Sequence, residues 1–176
     1  MRKFMILTAL PAVLVASPAF AQSGSATGTV NIDGSVAGRC TFTLPSVTLS
    51  LGELSLASNG KLDVSKVNTK NATLTGWCNN TAATMSVTTT QLTTATAAPA
   101  GFDNRVDYTA TAVANAASAS DSSLSVGTPS TVGLFTGNIV VTLSSATSPT
   151  NGLMVAGAYT GNVVVTLTPT IAPPQT

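Results

Sequence analysis

Few side chains in this sequence could do covalent or metal chemistry. Cys40 and Cys78, with the carboxylates Asp33, Glu53, Asp63, Asp103, Asp107 and Asp121, stand in 176 residues that contain no histidine. Without an imidazole there is no Ser-His-Asp or Cys-His nucleophile. The usual ligand of catalytic zinc is missing too. A glycosidase needs two carboxyls facing across a cleft, and none of the six sits in a motif that sets up such a pair. Asp103, Asn104 and Asp107 could offer oxygens to calcium. They lack the EF-hand spacing and read as a polar loop. The sequence predicts no enzyme, no metal site and no cofactor.

The cysteines are read through their compartment. Residues 1–21 have the plan of a secretory signal: Arg2 and Lys3, an apolar run over 4–16, then Ala19-Phe20-Ala21 before Gln22. The run is short for a membrane span, and no later segment offers the roughly 18 apolar residues a span needs. The signal predicts export, with a bacterial periplasm as the first destination. Disulfides persist there, so Cys40 and Cys78 are expected to pair within the chain. Two buried thiols, or a bridge between chains, are the alternatives. An intramolecular bridge would stabilise the fold by roughly 3–4 kcal/mol through loop closure.

Composition narrows the partners. Seven basic residues less Arg2 and Lys3 leave five against six acidic ones, a net charge of −1 for the exported part. Only 7% of residues are charged, and none form the basic patch that nucleic acid or an anionic membrane requires. Mean hydropathy is +0.38. A surface so poor in charge tends to self-associate.

The elements that must position these residues are strands. Thr and Val favour extended structure, and period-two alternation recurs over 30–36, 41–51, 71–77, 84–92, 105–113, 138–143 and 158–168. Pro45 shifts the phase within 41–51, as at a bend or strand switch. The best helical candidate, 109–119, has no apolar stripe and reads as strand running into loop. Segments 58–60, 93–100, 116–131 and 144–152 read as turns and loops, and the Pro-rich 169–176 as an extended tail. This pattern predicts an all-β sandwich or barrel. Trp77, beside Cys78, invites a sugar-stacking role but is expected to be buried. Strand phase puts it on the face opposite Cys78.

The segment before Cys40 is unusual. Val30, Ile32, Gly34 and Val36 share one face of an extended strand, and a chain end is frayed unless something ties it down. Its apolar face needs burial, either as a first strand within its own sandwich or on another molecule. A glycine inside an ordinary strand weakens it, which favours the second.

Three features together, the Val30-x-Ile32-x-Gly34-x-Val36 segment before the first cysteine, the Cys40/Cys78 spacing, and the closing Gly157-Ala158-Tyr159-Thr160-Gly161-Asn162-Val163-Val164-Val165-Thr166-Leu167, resemble the pilin subunits of chaperone–usher fimbriae. The resemblance implies an immunoglobulin-like sandwich over 39–168 that lacks its last strand. It further implies a donor-strand extension at 22–38 that completes a neighbouring subunit, and assembly by a periplasmic chaperone and an outer-membrane usher. On this reading Val30, Ile32, Gly34 and Val36 are the donor strand and Cys40–Cys78 the disulfide. Val163, Val165 and Leu167 then lie on the strand that borders the groove and meets the chaperone. The expected product is a cell-surface fimbria, a polymer of this subunit or its sisters, serving adhesion and biofilm formation. One departure stands out. The best-known subunits stop directly after that strand, with an aromatic residue next to last, whereas this chain runs on through 169–176. Spore coat protein U-like secreted domains share the signal, the early cysteine and the closing strand. They imply the alternative, a monomeric secreted sandwich that binds a ligand such as carbohydrate.

Overall fold

A computed structural model describes residues 24–170 in two units, divided after Ser35. The expected signal at 1–21 and the end of the tail at 171–176 lie outside the described residues.

In the first unit, residues 24–35 form no strand ladder. Val30 is 84% and Ile32 90% exposed, and a side chain placed at Gly34 would meet nothing within 4 Å. At the start of the second unit Val36 is 88% exposed. The alternating apolar face is present, and no core receives it.

The second unit is an all-β sandwich. Its strands in chain order are β1 (Cys40–Leu44), β2 (Asn71–Cys78), β3 (Thr84–Thr89), β4 (Leu92–Thr93), β5 (Phe102–Asp103), β6 (Arg105–Ala114), β7 (Ala117–Ser122), β8 (Ser125–Thr128), β9 (Ser130–Thr131), β10 (Phe135–Thr147), β11 (Leu153–Met154) and β12 (Val163–Thr168). One antiparallel sheet runs β1-β2-β10-β6-β7-β8, with β4 added beside β6, and a second runs β12-β3-β9. A short parallel pair joins β5 to β11.

Alternation decides which side chains fill the space between the sheets. Ile139, Val141 and Leu143 of β10 point inward with Ala110, Ala112 and Ala114 of β6, opposite Met85 and Val87 of β3 and Val165 of β12. Thr and Ser take the outward positions. In register across four strands, Thr142, Thr111, Ser120 and Thr128 lie side by side.

Expectations are corrected in both directions. The expected loop at 116–131 holds β7, β8 and β9. Ser-rich composition hid them, because inward packing there rests on Ala119 and on Asp121, whose carboxylate accepts the Thr89 and Gly127 amides at 2.6 Å each. The expected loop at 144–152 begins late, since β10 continues to Thr147 across a register shift between Ser144 and Thr147. That is a bulge, with Ser145 at φ 53°. In the other direction, 45–51 forms no ladder although it alternates.

Candidate functional site

Two sheet edges face each other with no strand of the described residues between them. β1 pairs only with β2, and β12 only with β3. Pro45 closes β1, and the chain continues through 45–51 along the same side, joining no ladder among the described residues. Pro cannot donate to a ladder, which suits an edge. Between this segment and β12 lies a groove of about 470 Å³, walled by Val47, Leu49 and Leu51 on one side and Val163 and Val165 on the other.

Its floor is the sandwich core. Leu74, Leu92, Tyr108, Val141 and Leu143, each at most 9% exposed, line it. The groove continues past Leu51 and Gly161 into a second space of about 710 Å³ between residues 48–55 and 154–161. A trough floored by core side chains and flanked by unpaired backbone can take an extended peptide as an added strand. Ladder hydrogen bonds would come from the edges and side-chain pockets from the floor.

Tyr108 is the one ionisable group in the apolar floor. Burial pushes its hydroxyl up to about 12, so it stays neutral, and it donates only a long 3.4 Å hydrogen bond to the Asn162 carbonyl. Sequence reasoning missed it. The alternating phase of Val106, Tyr108 and Ala110 was the available signal.

Cys40 and Cys78 are bonded, and they face each other as a register pair of β1 and β2 with Cα atoms 4.2 Å apart. Trp77 lies on the opposite face, half-buried rather than buried in the core. Just past the bridge, Asn79 grips the chain that precedes β1. Its Oδ1 accepts from the Arg39 amide at 2.5 Å, its Nδ2 donates to the Ala37 carbonyl at 3.1 Å, and its amide donates to the Arg39 carbonyl at 3.0 Å. At the other groove border, Pro169 follows β12 and Thr170 is fastened to the 80–82 turn. Its hydroxyl donates to the Ala82 carbonyl at 2.7 Å and its carbonyl accepts from Asn80 at 2.6 Å.

The remaining candidates are structural in place. The structure does not assemble Asp103 and Asp107 into an ion site. Asp103 accepts from the Thr150 hydroxyl at 2.9 Å and the Gly152 amide at 2.8 Å, while Asp107 accepts from Gln91 at 2.7 Å and lies 3.5 Å from Arg105. Burial alone would raise the Asp103 carboxyl. The bonds from Gly152, Thr150 and Ser148 outweigh it and hold that group below its ordinary value. Among the described residues no three Asp, Glu or Cys side chains group to hold a metal. Val163, Val165 and Leu167 all lie on β12, the first two lining the groove and Leu167 packing on the core edge. Val30, Ile32 and Gly34 belong to the first unit, and Val36 opens the second.

Comparison of the chain with protein-family models, with curated proteins and with solved structures finds no match.

Proposed function

We propose that this chain is a structural subunit of a bacterial surface fibre, built by passing the arm at 22–38 of one copy into the groove of the next. The observation that carries the reading is the open trough between β12 and the 45–51 segment, with core side chains as its floor. An exported chain with such a trough exposes apolar surface and two bare edges, an aggregation hazard that strand addition removes. The same chain carries a candidate strand with no core of its own, Val30, Ile32 and Val36 being 84, 90 and 88% exposed.

The energetics suit this arrangement. Each of Val30, Ile32 and Val36 contributes about 1.5–3 kcal/mol if fully buried in the groove. Gly34 suits a place where the floor rises toward the backbone. The contact is head-to-tail and does not close on itself, so it propagates a filament. Before assembly the same trough needs a temporary partner, the place of a periplasmic chaperone and an outer-membrane usher. Adhesion and biofilm formation follow as the roles of such a fibre on a cell surface.

The test is the oligomeric state of the purified mature chain. Light scattering after size exclusion is expected to show growth into long polymers at rising concentration, with Ile32→Asp blocking it. A stable monomer at all concentrations, indifferent to added arm peptide, rejects the reading and leaves a monomeric secreted sandwich.

A further inference from the structure

The groove and the arm carry little charge, and Arg39 at the arm's root is opposite in sign to Glu53 of the groove. Glu53 is the one charged residue lining either part of the groove. Residues 24–39 contain Asp33 and Arg39. The only ion pair among the described residues joins Arg105 to Asp107, so Arg39 and Glu53 have no salt-bridge partner there. Glu53 is also held in position: its Oε1 accepts from the Ser55 hydroxyl at 2.7 Å and the Ser55 amide at 3.0 Å. These bonds, the hydroxyl's first, keep its carboxyl below the ordinary value and therefore ionised.

Chain direction decides whether the two charges meet. Gly38 lies at the Thr170 end of the groove, where a side chain on it would come within 3.4 Å of the Thr170 carbonyl. Leu51 and Gly161 share the opposite end. The 38–51 segment and β12 therefore run in opposite directions, and an inserted strand is antiparallel to only one of them. β12 is a regular strand, while 45–51 forms no ladder. Antiparallel pairing, slightly the more stable per residue, is best made with β12. It also brings the donor's body out at the Leu51–Gly161 end, away from the end where the acceptor's own arm leaves at Ala37–Arg39. Val36, the last apolar residue of the arm, then comes beside Leu51. Arg39 lies three residues beyond Val36, and Glu53 two beyond Leu51 across the left-handed turn at Gly52 (φ 72°), so at about 3.3 Å per residue both charges lie within roughly 10 Å of the Leu51 end, in reach of two long side chains. In the reverse orientation Arg39 would reach the Asn80–Thr170 end, where no charge lines the groove.

We infer that Arg39 of the entering subunit pairs with Glu53 on the rim of the acceptor's groove, a contact between two copies of this chain that sets the register of the inserted arm. The inference rests on the strand-exchange reading above and is tested so that the two fail separately. The acceptor is the full-length mature chain carrying Ile32→Asp, which keeps its groove and loses its own capacity to donate. The probe is a fluorescent, C-terminally amidated peptide of residues 24–39, with and without Arg39→Glu, titrated at low salt. On this acceptor the Arg39→Glu peptide is expected to bind about threefold to tenfold more weakly, with the difference shrinking at high salt. On the acceptor that also carries Glu53→Lys the preference is expected to reverse, and with Glu53→Gln to vanish, far-ultraviolet circular dichroism verifying that each variant is folded. A peptide preference that does not depend on residue 53 overturns the pairing and leaves strand exchange standing. Failure of both peptides to bind overturns both.

Discussion

Asn79 holds the backbone of Arg39 from both sides, accepting from its amide at 2.5 Å and donating its own amide to its carbonyl at 3.0 Å. The residue after the disulfide thus fixes the residue before it, and the chain enters the sandwich through Ala37–Arg39 at one defined point. On the strand-exchange proposal, a donor arm needs such a root. Its length beyond the root is useful only if the root does not creep.

Asn79→Ala is expected to loosen that root without opening the core. Two exposed side-chain hydrogen bonds are lost, while the backbone amide bond to the Arg39 carbonyl remains, at a net cost of about 0.5–1.5 kcal/mol each at most. Hydrogen exchange at Ala37–Cys40 should quicken while Ile139–Leu143 stays protected. Unchanged exchange at 37–40 would show that Asn79 is not the clamp.

Removing the bridge acts on the whole domain. Cys40→Ala with Cys78→Ala, or reduction, is expected to destabilise the sandwich by roughly 4 kcal/mol in the loop-closure account, for cysteines 38 positions apart. Denaturant melts of oxidised and reduced protein measure this directly. A loss below about 1 kcal/mol would mean that the β1–β2 ladder holds the loop closed unaided.

Acid weakens the Asp103 cap with a defined sign. Its carboxyl sits below the ordinary value of 3.8 because the hydrogen bonds from the 148–152 turn outweigh burial. A lowered folded value contributes stability that is present above the unfolded value and lost as pH falls through the folded one. Asp103→Asn is expected to lower the melting temperature at pH 7, with the gap to the parent narrowing below about pH 4. A gap independent of pH over 3–7 would show that the charge is not what caps the turn.

The arm and the body are expected to respond separately. Ile32→Asp should leave the melting temperature of the unassembled subunit within about a degree or two, since an exposed position changes stability by less than about 0.5 kcal/mol, and yet abolish polymer growth. Electron microscopy and circular dichroism of the same preparation read both. A large loss of stability in the monomer would mean that Ile32 belongs to its own core.

The sequence made the strands and the disulfide legible where physics is local. Val, Ile and Leu alternate through β10 and β12, and two cysteines behind a signal-like leader are expected to pair. It failed where burial is polar. β7 turns inward on Asp121, a carboxylate that closes hydrogen bonds to Thr89 and Gly127, and no apolar period betrays it. The groove was harder still, because 45–51 alternates like a strand yet joins no ladder among the described residues. Pro45 was the one local sign. Asn79 gave none, its grip on Arg39 depending on a contact across 40 residues.

The most direct measurement is hydrogen exchange of the mature chain carrying Ile32→Asp, which keeps its groove open, with and without a saturating peptide of residues 24–39. Strand addition predicts that amides of Val163–Thr168 and of 46–51 gain protection together, while the outer strands β7 and β8 are unchanged. If those two groove borders exchange at the same rates in the presence of the peptide, no strand enters between them and the fibre account is wrong.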